Sequence, residues 1–439
     1  MSNVKKNWKE KTEKLLKRAE QLFEALIYKK AGKYFFFVGN SFYDNKDFVM
    51  AQEAFSKAAN SFIKKEKHLN VIESLRRSAN AFLNLENVEQ AQNLFEKAFE
   101  YTKNFKNKDN KDTNYILLSS LIYICSHVRG EPVKGLNIVK RAQKRVDKEH
   151  FKENPLIHLV TNLTIALRDE KKVYLDKIIQ DFNKLKLTDI EKKFVKISLL
   201  LAEIQVNVKP EINIDKEKYT TKEIIKMNLT INKNSINEII NNSFFEYSLN
   251  EFDIQNFRIE VTDNFSVQTK PELPINLNLK ENFTHDFFIK PHFLIDKCFI
   301  GPIRINCLLN KKYSCFIETK EEVHINLVAP PTYLEISLKN LKPPLIEQTF
   351  PIEILIENNS DGEASDLNIG FKFPEEIKVI RGTIEKQIYS LRSNENIKWE
   401  INARPLEAGD FEIEVNLKFK DTDHNTIEEK KTFPIAIKL

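Results

Sequence analysis

The stretch AQEAFSKAANSFIKKEKHLNVIESLRRSANAFLNLENVEQAQNLFEKAFEYTKNF, residues 51–105, decides how the first half of the chain folds. It contains one pattern twice: alanine, then phenylalanine four positions later, then alanine three positions after that. The two copies are Ala51-Phe55-Ala58 and Ala91-Phe95-Ala98. Spacings of four and three residues place side chains on one helix face. Because alanine lets a neighbouring helix come close, the pattern predicts packed helices.

The pattern continues on both sides of this stretch. Ala19-Phe23-Leu26 precedes it and a degraded copy, Gly135-Val139-Ala142, follows it, so that the copies start 32, 40 and 44 residues apart. Such intervals are typical of helical-hairpin repeats. The first helix of each hairpin is indicated by Phe35-Gly39-Phe42 and Leu75-Ala79-Phe82. The sequence therefore predicts an α-solenoid.

Polar residues at the predicted helix starts support this interpretation. Asn70 with Glu73, Asn87 with Gln90, and Thr188 with Glu191 each fit a cap followed by an acid or amide at the third helical position. We expect about nine to eleven helices through residue 206.

Composition changes at residue 207. Of the 15 prolines, two precede this point and 13 follow it, whereas 14 alanines precede it and five follow it. Alanine favours helices and proline opposes them. The formal charge changes too, from +13 over residues 1–207 to −8 over residues 208–439. The first half is predicted to be helical and basic, the second non-helical and acidic.

The second half alternates apolar and polar residues, which is typical of strands. We expect two β-sandwiches joined by a stiff Ala329-Pro330-Pro331 hinge. The predicted domains are residues 1–207, 208–329 and 330–439. In the first sandwich we expect strands at 223–232, 243–250, 257–267, 275–279, 303–309, 313–319 and 322–328. In the second we expect them at 333–339, 349–358, 365–373, 377–381, 387–391, 396–403, 409–420 and 430–438.

Residues 35–105 resemble the tetratricopeptide repeat and, more narrowly, the soluble NSF-attachment proteins. This resemblance implies a stacked-hairpin fold, a role in membrane-trafficking-like assemblies and a positive face that grips an acidic helical bundle. The second sandwich, with FPIEILIENNSDGEASDLNIGFKFP at 350–374 and NIKWEINARPLEAGDFEIEVNLKF at 396–419, is similar to CARDB-like and adaptin-appendage-like immunoglobulin-type sandwiches. That similarity implies a fold and no particular ligand. Trp399 is expected to fill the core of this sandwich.

The nine glycines argue against the usual nucleotide-binding enzymes. No Gly-x-Gly pair occurs, and the interval from Gly130 to Gly135 is followed by Leu136-Asn137 instead of the Lys-Ser/Thr of a phosphate-binding loop. No metalloprotease histidine motif is present and nothing supports a catalytic triad. We therefore expect neither enzymatic activity nor a cofactor.

Three cysteines, Cys298, Cys307 and Cys315, lie within 18 residues, with His292 and His324 flanking them. The gaps of nine and eight positions are strand-to-strand distances, unlike the Cys-x2-4-Cys knuckles of zinc sites. A metal site and a disulfide stay open, but buried free thiols are the preferred interpretation and no metal is expected.

Basic residues are the candidate binding residues. Four recur at helical spacing and predict one cationic helix stripe, to which a fifth adds: Arg141, Lys144, Arg145, Lys148 and Lys140. Arg76 and Arg77 lie on another predicted helix. These residues fit either an ordinary solvated surface or an anionic partner. An acidic protein segment in the solenoid groove is preferred, and RNA is the rival.

Four aromatic residues stand in a row, Tyr34-Phe35-Phe36-Phe37, next to lysines. A helix can bury about two of them on its core face. The others either pack on a neighbouring helix or contact a partner or a membrane surface, and Phe36 and Phe37 are the candidates for such contact.

These observations favour a non-catalytic protein-interaction adaptor or scaffold. The basic solenoid would bind an acidic helical or extended segment, and the sandwiches would bind a second protein, for example by accepting a β-strand at a sheet edge. We expect a cytoplasmic location, since the charged N-terminal residues do not form a signal peptide. The alternatives are a carbohydrate- or surface-binding sandwich protein and an RNA-binding helical-repeat protein.

Overall fold

The structure is a computed structural model that describes residues 2–169, 178–179, 182–295 and 297–439. Helices occupy the chain up to Asn207, and β-strands, nearly all antiparallel, dominate from Glu211 onward. The predicted class, a helical N-terminal region followed by β-sheets, is confirmed.

Ten α-helices in the described residues form the first part of the chain. They are α1 Ser2–Glu24, α2 Tyr28–Asp44, α3 Phe48–Ile63, α4 His68–Asn84, α5 Val88–Tyr101, α6 Lys108–Val128, α7 Pro132–Gln143, α8 Lys148–Glu153, α9 Pro155–Asp169 and α10 Asp189–Asn207. Each of α1 to α6 packs against the next helix along the chain. The repeated small and large residues lie in these contacts, since Ala51, Phe55 and Ala58 are all fully buried.

The turns between the first helices repeat every 20 residues. Leu26, Lys46, Glu66 and Glu86 each adopt a left-handed backbone conformation, with φ of 61°, 62°, 51° and 58°. In each turn the next amide N–H donates to a carbonyl five residues back, as from Asp47 to Phe42 at 2.9 Å. This is the Schellman ending of a helix, in which two otherwise unpaired carbonyls find donors.

Two of the three predicted caps are confirmed. The Asn87 side chain accepts a hydrogen bond from the amide of Gln90, and Thr188 forms a complete capping box with Glu191. The cap predicted at Asn70 is wrong, because α4 already begins at His68 after the left-handed residue of the preceding turn.

The first set of strands forms two sheets and carries one short helix, α11 Lys233–Ile240. The sheet orders are β1-β3-β7-β5 and β2-β10-β8-β4-β6, with β9 also paired to β8. The strands are β1 Glu211–Ile214, β2 Lys218–Thr220, β3 Ile225–Ile231, β4 Phe252–Val261, β5 Phe265–Val267, β6 Ile275–Asn276, β7 Phe283–Pro291, β8 Cys298–Leu309, β9 Tyr313–Glu318 and β10 Val323–Val328.

The sequence prediction is partly wrong in this region. Residues 243–250 form turns and irregular structure instead of a strand, with Glu246 at a φ of 48°. The helix α11 was not predicted; it is capped by the Asn232 side chain and buries Ile236 and Ile239. The long strand β7 was also missed.

The second set of strands matches the sequence prediction strand for strand. Its two four-stranded sheets have the orders β11-β12-β16-β14 and β15-β13-β17-β18. The strands are β11 Glu335–Asn340, β12 Phe350–Glu357, β13 Ala364–Lys372, β14 Ile377–Arg381, β15 Glu385–Leu391, β16 Asn396–Pro405, β17 Gly409–Lys420 and β18 Thr426–Ile437.

The boundary between the hydrophobic cores does not coincide with the change in composition at residue 207. One continuous cluster of buried side chains runs from Ala19 in α1 to Ile325 in β10, so the helices and the first sandwich share a core. The helix α10 packs against β9, where the rings of Phe194 and Tyr313 meet edge-on at 6.2 Å. The second sandwich has a core of its own, from Leu334 to Ile437.

Candidate partner-binding surface

Consecutive antiparallel helices place their turns alternately on two opposite edges of the helical array. We call one the basic edge; it contains the turns that leave α1, α3, α5 and α7, residues 24–31, 63–69, 101–111 and 143–149. The turns that leave α2, α4 and α6, residues 44–48, 84–89 and 128–132, form the opposite edge.

Side-chain contacts join neighbouring turns of the basic edge. The ammonium of Lys65 in the second turn lies 6.0 Å from the ring centre of Tyr28 in the first. The 3-10 helix Thr102–Asn104 in the third turn packs against α4. Lys108 in the third turn contacts Asp147 in the fourth at 3.3 Å. The first turn therefore contacts the second and the third contacts the fourth, and the third also packs against the helix that follows the second.

The two edges carry opposite charges. The four turns of the basic edge hold 12 lysines and arginines against five acids, a formal charge of +7. The three turns of the opposite edge hold two basic residues and five acids, a formal charge of −3. Because these turns are far apart in sequence, only the alternating direction of the helices gathers the cations together.

Three residues of the predicted stripe, Lys144, Arg145 and Lys148, fall on this edge, Lys140 and Arg141 precede it on α7, and the stripe is not one helix. The helix α7 ends at Gln143, and Asp147 caps the separate helix α8. Lys144 and Arg145 occupy the turn between them, while Lys148 begins α8. The sequence spacing was misleading because one helix ends at Gln143 and another begins after its cap, Asp147.

Two arginines of this set stack on aromatic rings. The guanidinium groups of Arg141 and Arg145 lie 5.6 and 5.7 Å from the ring centre of Phe99. Arg141 also donates to Glu100 at 2.6 Å. Lys140, Lys144 and Lys148 are exposed beside them.

Arg76 points away from the basic edge and into the molecule. Its guanidinium donates two hydrogen bonds, of 2.8 and 2.7 Å, to the fully buried carboxylate of Glu191. Burial would raise the pKa of Glu191, but the bonds and charge of Arg76 and the amide of Thr188 outweigh it and lower the pKa. Arg77 is half-exposed and binds Glu73 at 3.1 Å.

Phe36 and Phe37 have different environments. Phe36 packs edge-on against Phe55 with ring centres 5.4 Å apart, whereas Phe37 is 65% exposed. Both belong to α2 and stand 40 residues before Arg76 and Arg77 on α4.

The helix α10 packs against α4, α6 and α9, and we call the side of the array that it contacts the inner face. Asn80 donates to Thr188 at 3.2 Å, and the buried His127 is 2.6 Å from the Ser198 hydroxyl. A pocket lined by Tyr43 and Arg77, among others, stays open at the α2 end. Much of the predicted groove is therefore filled by the chain itself.

The cysteines of the first sandwich do not converge on one point. Cys307 and Cys315 are directly opposite each other on β8 and β9, and both are buried free thiols. Burial raises the pKa of Cys307. Cys298 lies at the other end of β8, next to the Asn264 amide. Within the described residues, no three His, Cys, Asp or Glu side chains are grouped to hold a metal ion.

Comparison with known proteins does not identify a family for this chain. No family model and no curated protein matches the chain. Among solved structures, a cohesin module from a family 33 glycoside hydrolase of Clostridium perfringens matches 25% of this chain and 98% of its own length. The identity is 13% and the TM-score 0.19, too low to carry an argument. No described helix has the length and apolar character needed to cross a membrane.

Proposed function

We propose that the protein is a non-catalytic interaction adaptor whose basic edge binds an acidic segment of a partner protein. The observation that supports this most directly is the separation of charge, +7 on one edge of the array and −3 on the other. Patches of one sign attract and orient partners of the opposite sign.

The basic edge is the favoured surface because the opposite edge and part of the inner face contact other parts of the chain. The first sandwich contacts the opposite edge, where Lys312 pairs with Glu86 and Ser314 lies against Gly130. The inner groove is covered by α10 over α4 and α6. These contacts support the turns of the basic edge, without Arg76, as the proposed site for the acidic partner.

The cellular compartment of this adaptor and its role in the cell are also proposals. Four buried free thiols are consistent with a reducing, cytoplasmic compartment. A role in trafficking-like assemblies rests on the sequence resemblance of residues 35–105 alone. A second partner would bind the sandwiches.

The proposal can be tested by reversing four exposed lysines, one or two in each of three turns of the basic edge: Lys64→Glu, Lys106→Glu, Lys144→Glu and Lys148→Glu. The probe is a labelled polyglutamate peptide, and binding is measured by fluorescence anisotropy at several salt concentrations. We expect the full-length chain to bind it and the variant to lose at least about tenfold in affinity, equivalent to about 1.4 kcal/mol.

A matched control changes the net charge by the same amount elsewhere, with Lys222→Glu, Lys270→Glu, Lys320→Glu and Lys342→Glu in the sandwiches. Equal losses in both variants would contradict a specific basic edge. If single-stranded RNA of similar length binds the same edge more tightly than the peptide does at every salt concentration, RNA replaces protein as the partner.

A further inference from the structure

The strand β15 is an open edge of the second sandwich. It ends one sheet and pairs with β13 from Glu385 to Leu391 except at Tyr389, while its other side has no neighbouring strand among the described residues. Two of the other edge strands carry features that discourage further pairing. The strand β18 contains Pro434, and β14 is irregular between Val379 and Arg381.

One hydrogen bond shows which N–H and C=O groups of β15 point away from β13. The amide of Phe371 donates to the carbonyl of Ile384 at 2.8 Å, and these residues continue the β13–β15 register. Hydrogen-bonded pairs alternate with non-bonded pairs in an antiparallel ladder. The next pair along β15, Glu385 with Gly370, is therefore non-bonded, as is Gln387 with Asn368. Glu385 and Gln387 present their N–H and C=O groups to the open edge.

Apolar side chains flank this edge. Tyr389 on β15 is 88% exposed, and Ile380 and Ile384 nearby are 50% and 42% exposed. Trp399, expected to fill the core, lies only partly buried at its margin, with the Lys386 ammonium 4.5 Å from its ring centre. A strand added here would cover apolar surface that the sandwich leaves exposed.

The charge of this edge differs from that of its surroundings. Residues 377–392, which contain β14 and β15, hold four basic residues and one acid, a formal charge of +3, and the excess comes from Lys378 and Arg381 on β14 and from Arg392 just after β15. The whole second sandwich, residues 330–439, has a formal charge of −6, with 14 basic and 20 acidic residues. An acidic strand would therefore be attracted to this edge, whereas a second copy of the chain would bring two +3 edges together.

We propose that β15 accepts an added strand from a partner protein, an extended acidic segment with apolar residues at alternate positions. This mode of recognition combines main-chain hydrogen bonds with pockets for every second side chain. The proposal names the surface and the chemistry for the second partner of the adaptor. It rests on that part of the proposed function and is independent of the basic edge.

The test uses the full-length chain and a labelled peptide of alternating valine and glutamate. Gln387→Pro removes an N–H that faces the open edge and leaves the β13 ladder intact, since proline is tolerated at such edge positions. Gln387→Ala removes the side chain and keeps the N–H. We expect Gln387→Pro to weaken peptide binding at least about tenfold and Gln387→Ala less than about twofold.

Hydrogen exchange supplies a measurement that does not depend on the variants. The amides of Glu385 and Gln387 should exchange slowly only when the peptide is bound. Equal binding by Gln387→Pro, or no added protection of these amides in the unsubstituted chain, would overturn the proposal. If Gln387→Pro does not fold, Arg381→Glu with Arg392→Glu replaces it, and an undiminished affinity in that variant counts against the proposal.

One further comparison distinguishes peptide binding at β15 from peptide binding at the basic edge. The basic-edge variant with four lysines reversed should bind the valine-glutamate peptide as the unsubstituted chain does. A valine-glutamate peptide of the same charge with prolines inserted cannot form a strand and should bind β15 weakly. If the proline-containing peptide binds equally well, charge alone is responsible and strand addition is excluded.

Discussion

Arg76 on α4 and Glu191 on α10 form a two-pronged ion pair between residues 115 positions apart in the chain. Glu191 also caps α10 through its contact with the Thr188 amide. One carboxylate thus fixes both the start of α10 and its position on the inner face of the array.

We expect Arg76→Ala to lower the free energy of unfolding by about 3–5 kcal/mol, because it leaves a buried carboxylate without its cation. Urea denaturation followed by circular dichroism measures this change. Arg77→Ala is the matched control: its half-exposed pair with Glu73 should contribute less than about 1 kcal/mol. Equal effects of the two substitutions would contradict the role assigned to Arg76.

His127 predicts a pH dependence of stability. Burial lowers its pKa from 6.5 to about 4 in the folded chain. The unfolded chain therefore binds a proton more readily, so this stability is fully present above pH 6.5 and is lost as the pH falls to about 4. A shift of this size corresponds to about 3 kcal/mol. The variant His127→Leu should show a flatter decline between these pH values, and an unchanged slope would exclude His127 as the cause.

The left-handed turn at Lys46 predicts a stabilising substitution. Non-glycine residues pay about 1–2 kcal/mol in this conformation, whereas glycine adopts it freely and loses part of the gain through a more flexible unfolded chain. Lys46→Gly should raise the free energy of unfolding by about 0.5–1 kcal/mol. Lys97→Gly, at an exposed position within α5, should lower it by about 1 kcal/mol. Thermal unfolding of both variants tests whether Lys46→Gly stabilises the protein and Lys97→Gly destabilises it.

Two glycines are expected to differ in how well they tolerate substitution by alanine. A Cβ at Gly135 would lie 2.7 Å from the Tyr123 Cα atom, whereas one at Gly370 meets nothing within 4 Å. Because backbone cannot move aside cheaply, Gly135→Ala should cost about 1–3 kcal/mol of overpacking, more than the ~1 kcal/mol gained in helix propensity. Gly370→Ala should change stability by less than about 0.5 kcal/mol. Chemical denaturation of both variants decides whether α6 and α7 are in this close contact.

Regular patterns could be predicted from the sequence and long-range contacts could not. The eight strands of the second sandwich followed from alternation alone, because each has one face on its own core. The strand β7 and the helix α11 were missed in the first sandwich, where the core is shared with helices. Arg76 and Arg77 look alike in sequence, yet only Arg76 is directed inward, because α10 packs beside it in the folded chain. The basic edge was likewise hidden, since its lysines lie in four separate turns.

The shared core has a consequence for the order in which the chain matures during synthesis. The helices α1 to α7 make contacts with near neighbours and can pack as they emerge from the ribosome. The helix α10 completes its environment only with β9, and Tyr313 is made 106 residues after Asn207. Until then, the Phe194 side of α10 has no sandwich to cover it. A ribosome that stalls between these points would display an apolar helix face to chaperones, even though α1 to α10 had already been translated.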